Sequence, residues 1–316
     1  MLHRLTATIA SFAVITVVGV LIIVGGLTQV SLAVEEGWTV DVAGAKQSAV
    51  KSKKDLFLEF TGSDWCPPCK ILKARIFDAG HFKAEAPKHF VLVKLDYPND
   101  KSHQTAAEIA QNREMQKQYS ISGFPTVILA DAKGRPYAQW VGFGGESPED
   151  YIKKIVEKKK TREARDVGFA KAAKAKGVEK AKALDEALRA IPSALLTSAY
   201  KAEVDQIMKL DADNAAGLKA KYQGIIQAPE IEKKIQQIVT GSANPAAAIA
   251  SIDALIKERK LVGAALQEAL FGKAIATYQG DDKKGAIVIL KQAAQAAPKT
   301  EKAEMIANVI KQLMME

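Results

Sequence analysis

The sequence predicts an α/β unit followed by an all-α region, and three observations carry that reading. A short apolar strand, Asp55–Phe60, runs into a Cys-x-x-Cys motif that opens a helix. Strand-like and helix-like segments alternate between residues 37 and 160. From Thr161 onward the strand-like segments vanish, alanine and lysine rise, and apolar residues recur at helical spacing. A chain of 316 residues with 48% hydrophobic composition is ordinary globular material for two or more folded units. The formal net charge of +9 is diffuse, with a surplus of five from Thr161 onward and four before it. Its densest basic run, Lys153–Arg165, contains acids and no aromatic residues to stack bases. It reads as a solvated helix or linker, and nucleic acid is not expected as a partner.

Residues 1–33 are set apart as a signal peptide or an N-terminal membrane anchor. Ala7–Leu27 is nearly all apolar behind a short start containing Arg4. The run is long enough for a bilayer span of ~20 residues, yet Ser31, Leu32 and Ala33 supply small residues where a signal peptidase cuts. Both choices deliver the chain from Val34 onward to an extracytoplasmic, periplasmic location, released or anchored, where disulfides persist.

The two cysteines of the chain, Cys66 and Cys69, both lie in Phe60-Thr-Gly-Ser-Asp-Trp-Cys-Pro-Pro-Cys-Lys70. At i and i+3 in the first turn of a helix they share one face, close enough for their sulfurs to join. So small a ring cannot staple distant parts of a fold, which makes a structural role weak. A zinc site fails for want of ligands, because no further cysteine exists and His3, His81, His89 and His103 are neither paired nor suitably spaced. No metal and no cofactor are expected. Redox exchange remains. The segment Cys66–Phe77 reads as a helix with its prolines in the first turn and Ile71, Leu72 and Ile76 on a buried face. Cys66 then sits at the helix N-terminus, where free N–H groups and the dipole favour a thiolate and lower its pKa, making it the attacking sulfur. Cys69, one turn deeper, is placed to resolve the mixed disulfide.

These residues, with Gly123-Phe-Pro-Thr-Val-Ile-Leu-Ala130 about 55 positions later, resemble the thioredoxin superfamily over roughly residues 37–160. The loop Phe60–Lys70 and the insertion Tyr97–Gln104 look more like secreted bacterial members than small cytosolic thioredoxins. The resemblance implies a mixed sheet flanked by helices and a cis bond before Pro125 that faces the active disulfide. It also implies a buried acid on the strand before the motif that moves a proton at the resolving cysteine. Glu59 matches that role once the loop is allowed one extra residue, although an outward-facing Glu59 also fits the alternation of the strand. Trp65, Pro67, Phe124 and Thr126 are expected in the substrate-binding surface, with packing beneath the loop as the alternative for Trp65.

The remaining elements of the first domain follow the family order. Ala43–Lys53 reads as an amphipathic helix, Phe90–Tyr97 as a buried strand and Thr105–Ser120 as a helix. Two strands form a hairpin around Asp131–Pro136, and Ser147–Lys158 is the closing helix.

Residues 161–316 are expected as an all-α domain, with breaks at 190–193, 210–217, 240–245, 278–285 and 296–300. Shifting the chain on itself by 68 residues aligns Ala183–Ala190 with Ser251–Glu258, and Tyr278–Pro298 resembles a tetratricopeptide phrase, so an array of helix pairs and a plain bundle both fit. No catalytic constellation lies here. The domain reads as a docking or oligomerisation module, or as a spacer.

The function expected is that of an exported thiol-disulfide oxidoreductase with Cys66, Cys69, Glu59 and Pro125 as its catalytic set. Its substrates would be cysteine-containing exported proteins. Bulky Phe124 favours a protein-disulfide reductase over a broad oxidant, with a membrane thiol carrier as electron donor, and a disulfide isomerase, which usually presents two sites in a dimer, is a further option. The alternative is a binding or assembly scaffold in which the helical domain recruits partners, or self-associates, beside a non-catalytic redox fold.

Overall fold

The computed structural model describes residues 37–298 and 300–315. The expected export signal or anchor at 1–33 lies outside the described residues. Among those described, no helix is long and apolar enough to cross a membrane.

A five-stranded mixed sheet organises the first part. Its strands are β1 (Trp38–Thr39), β2 (Asp55–Thr61), β3 (Phe90–Asp96), β4 (Thr126–Ala130) and β5 (Pro136–Val141), in the order β1-β3-β2-β4-β5. β2 runs parallel to β3, with Glu59 beside Lys94, and antiparallel to β4, with Phe60 beside Thr126. Flanked by strands on both edges and covered on both faces, every residue of β2 is buried.

Helices cover both faces. On one lie α2 (Pro67–Leu72), a π-helical turn at Lys73–Phe77, α3 (Gly80–His89) and α5 (Pro148–Glu157). Here Phe57 of β2 meets Trp38, Phe77, Phe82 and Phe90, and Tyr151 of α5 closes the aromatic cluster. On the other lie α1 (Val42–Ser52) and α4 (Ala106–Gln118), joined where the Val42 N–H donates to Gln111 Oε1 at 3.0 Å. Side-chain oxygens of Asp41, Thr105 and Ser147 cap α1, α4 and α5.

Beyond α5 the described residues form nine more helices: α6 (Lys159–Lys174), α7 (Gly177–Leu188), α8 (Ser193–Ser198), α9 (Lys201–Leu210), α10 (Leu218–Gly241), α11 (Pro245–Arg259), α12 (Gly263–Gln279), α13 (Lys283–Ala296) and α14 (Glu301–Met315). Each of the five anticipated breaks contains a gap between helices, although their ends overlap the neighbouring helices, and the gaps at 175–176, 199–200 and 260–262 were not anticipated. α7 and α11 begin 68 residues apart, the same interval that superimposes the two sequence segments. Buried apolar residues run without interruption from the sheet into α6–α10, while separate clusters join α10–α12 and α12–α14.

The basic run at the junction is helical and exposes Lys153, Lys158 and Lys160 to solvent, as expected of a solvated helix, but its two arginines turn toward the sheet. Arg165 is 2% exposed, and its guanidinium donates to Asp131 Oδ2 at 2.6 Å, the Tyr200 hydroxyl at 2.9 Å and the Arg135 carbonyl at 3.1 Å. Arg162 donates to the buried Asp55 at 2.5 Å, and Asp55 also accepts from the Tyr137 hydroxyl. The Tyr200 hydroxyl donates in turn to the Pro136 carbonyl, and Arg135 pairs with Glu203. Arg165 and Asp55 can be buried because each has partners, while Arg162, Asp131, Arg135 and Glu203 stay partly exposed around them. Composition alone leaves the run as a solvated helix or linker, because the partners of its arginines lie 107 and 34 residues earlier in the chain.

Candidate active site

β2 ends at Thr61, and the chain turns through Gly62–Trp65 into α2, placing Cys66 at the N-cap position and Pro67 and Pro68 in the first turn. Cys66 and Cys69 are joined in a disulfide, with S–S 2.05 Å and Cα–Cα 5.3 Å. The backbone N–H of Cys69 donates to Cys66 Sγ at 3.3 Å. Such a donor at a helix N-terminus favours negative charge on that sulfur when the pair is reduced. Both cysteines are 2% exposed. Cys66 therefore lies just beneath the surface in the oxidised form, unlike the accessible sulfur that attack requires. Pro67 beside it is exposed.

The active loop is tied to the insertion after β3. The Ser63 hydroxyl donates to Asp96, and Asp64 accepts from the N–H groups of Asn99 and Asp100, which hold its carboxyl below the usual range. The Trp65 indole donates to the Tyr97 carbonyl at 2.8 Å. A Cβ on Gly62 would stand 2.4 Å from the Trp65 ring, so the residue beneath that ring must be glycine for the indole to lie where it does.

The peptide bond between Phe124 and Pro125 is cis. Thr126, which comes next, pairs with Phe60 at the end of β2 that leads to the disulfide, and its hydroxyl donates to the Gly123 carbonyl. The Phe124 ring meets Trp65 edge-on at 5.6 Å and Tyr97 at 5.2 Å. Trp65 is 42% exposed, so its indole both packs on this aromatic lip and presents surface to solvent. Thr126 is fully buried, and its side chain supports the cis-proline turn from within.

Glu59 is 4% exposed. It alternates with Phe57 onto the face covered by the helix that carries both cysteines. Its charge, after burial, helps push the Tyr151 hydroxyl above its ordinary range. Leu72 and Ile76 are buried beneath the motif as expected, but Ile71 is 48% exposed. Successive helical residues point about 100° apart, and the inward direction is taken by Cys69 and Leu72. Sequence reasoning missed Gly62, Ser63, Asp64, Asp96 and Tyr97 as the scaffold of the loop. The extra loop residue was the one available signal. Among the described residues no group of acids, histidines and cysteines is arranged to hold a metal.

A thioredoxin-like domain model matches residues 43–159. The disulfide bond reductase DsbH of Chlamydia pneumoniae is 34% identical over 113 residues, covering 36% of this chain and 67% of that protein. The thioredoxin-related protein DsbJ of Chlamydia pneumoniae is 26% identical over 110 residues, which span 35% of this chain and 31% of DsbJ. A solved structure of a DsbH oxidoreductase aligns at 30% identity with a TM-score of 0.37, over 42% of this chain and 89% of its own. With its Cys66–Cys69 pair after β2 and its cis proline before β4, the chain belongs to the thioredoxin-like family and is a homologue of DsbH and DsbJ.

Proposed function

We propose that the protein is an exported thiol-disulfide oxidoreductase acting as a protein-disulfide reductase on cysteine-containing exported proteins. The observation that carries this reading is the Cys66–Cys69 disulfide at a helix N-terminus, on the same sheet end as the cis Phe124–Pro125 bond. In the reduced protein the Cys66 thiolate attacks one sulfur of a substrate disulfide. A bond forms between them, the substrate S–S bond breaks, and its other sulfur leaves as a thiolate that takes up a proton. Cys69 then attacks Cys66 Sγ and releases the second substrate thiol. The substrate has gained two electrons and two protons, and the protein is left with its internal disulfide. A dithiol donor must restore it, in this reading a membrane thiol carrier.

Glu59 takes the proton from Cys69 as that sulfur becomes a nucleophile, a role supported by its burial on the face that the cysteine helix covers. Trp65, Pro67 and Phe124 form the lip on which the substrate docks, with the buried Pro125 and Thr126 shaping the turn behind it. The exported location rests on the apolar segment Ala7–Leu27. Residues 37–160 form the redox domain, and residues 161–316 form a helical domain that recruits a protein partner or a second copy of the chain.

Insulin reduction in the presence of dithiothreitol tests the reading. Wild type should accelerate it, Cys66→Ser should abolish the acceleration, and Cys69→Ser should accumulate a mixed disulfide through Cys66. Wild-type turnover by Cys66→Ser would refute the reading.

A further inference from the structure

Between β3 and α4, residues 98–103 are largely exposed and form neither helix nor strand. Pro98 has no N–H to offer. The Ser102 N–H donates to Asp100 Oδ1 at 2.9 Å and the Gln104 N–H to the Lys101 carbonyl at 3.0 Å, so both bonds stay within the insertion. Among the described residues, the hydrogen bonds that fasten this stretch to the rest of the protein all end on one carboxylate. The Asn99 N–H donates to both oxygens of Asp64, at 3.1 and 2.9 Å, and the Asp100 N–H to Oδ2 at 3.1 Å.

Asp64 is held from the other side as well. Its carbonyl accepts from Lys70 Nζ of α2 at 2.7 Å, and the residue after it is Trp65, whose indole donates to Tyr97 at the root of the insertion. One residue thus joins the insertion, the cysteine helix and the aromatic lip. The insertion supplies Pro98, Asn99 and Lys101 to a cleft of about 310 Å³ that opens at Trp65 and has α4 as its other wall. A polypeptide that passes over Trp65 from Cys66 meets that wall next.

We propose that Asp64 is a positioning residue for polypeptide substrates: its carboxylate fixes the insertion as a wall beside Trp65, against which the chain flanking the substrate disulfide docks before Cys66 attacks. The proposal rests on the reductase reading above. Hydrogen bonds to a carboxylate are about twice as strong as those between neutral groups, and an asparagine at this position would turn either one acceptor or an NH2 group toward the same donors. A wall left loose has to be ordered each time a chain binds, which opposes docking. A disulfide only a few atoms long docks on no wall and escapes that cost.

The test uses the full chain, reduced with dithiothreitol and freed of excess reductant, against insulin and against hydroxyethyl disulfide. Loss of free cysteine is followed by acid quenching and alkylation in single turnovers. Asp64→Asn should raise the insulin concentration that gives half the maximal rate about fivefold, the equivalent of one hydrogen bond, and leave the maximal rate and the rate constant for hydroxyethyl disulfide within about twofold of wild type. Asp100→Pro, which removes one donor and keeps Asp64, should weaken insulin docking in the wild-type background and add nothing to Asp64→Asn, as members of one network do. An equal loss with both substrates, or unchanged insulin kinetics, would overturn the proposal while leaving the reductase reading intact. Wild-type protein that reduces neither substrate would overturn both.

Discussion

Arg165 offers the sharpest test of how the helices are joined to the sheet. Replacing it with methionine keeps most of the apolar stem but removes every donor it gives to Asp131, Tyr200 and the Arg135 carbonyl. Removing one partner of a buried ion pair costs ~3–5 kcal/mol. Asp131 is 17% exposed and still accepts from the N–H groups of Lys133 and Arg135, so it is not stranded. The lower end applies, and Arg165→Met should cost about 3 kcal/mol. All three tryptophans, Trp38, Trp65 and Trp140, lie before residue 160, so fluorescence-detected urea unfolding reports on the sheet. A change in α6 should nevertheless lower that transition by the full amount. Asp131→Asn should also cost much less in the Arg165→Met background than in wild type, as coupled neighbours do. A loss below about 1 kcal/mol, or additive effects of the two substitutions, would refute the view that this network fastens the helices to the sheet.

Other expectations rest on single contacts. Gly168→Ala sets a Cβ 2.6 Å from the Ala187 backbone and should cost ~1–3 kcal/mol in thermal unfolding. Gly241→Ala, with nothing within 4 Å, should be neutral or stabilise by up to ~1 kcal/mol. Gly62→Ala should leave stability nearly unchanged, because the half-exposed Trp65 ring can swing away. It should still cut insulin reduction and alter tryptophan emission. His89 should titrate below 6.5 by NMR, because burial, and next the Lys159 charge, disfavour its protonated form. The unfolded chain then binds that proton more readily. The small stabilisation involved is present above 6.5 and is lost as the pH falls through the lower folded value.

The strand-loop-helix unit around Cys66 was legible because strand burial, helix-capping chemistry and cysteine spacing are all local signals. The same holds for α4 and α5, whose caps Thr105 and Ser147 are written immediately before them. What escaped depends on distant partners. α3 carries Pro87 within it and lacks a side-chain cap, so its sequence does not announce a helix. β1 is two residues long and exists by pairing with β3. Ile71 looked like core because apolar character alone does not give direction on a helix face. Arg162 and Arg165 looked like surface because their partners, Asp55 and Asp131, lie 107 and 34 positions earlier. The cis bond before Pro125 was anticipated from family resemblance, not from anything local to Phe124.

The reduction potential of the Cys66–Cys69 pair, measured by equilibrating the full chain against glutathione and dithiothreitol, tests the central claim most directly. A protein-disulfide reductase should give a value near that of thioredoxin, ~−270 mV. A value near ~−120 mV would mark a disulfide donor and contradict the proposed direction of electron flow, and a pair that never equilibrates would contradict the redox role itself.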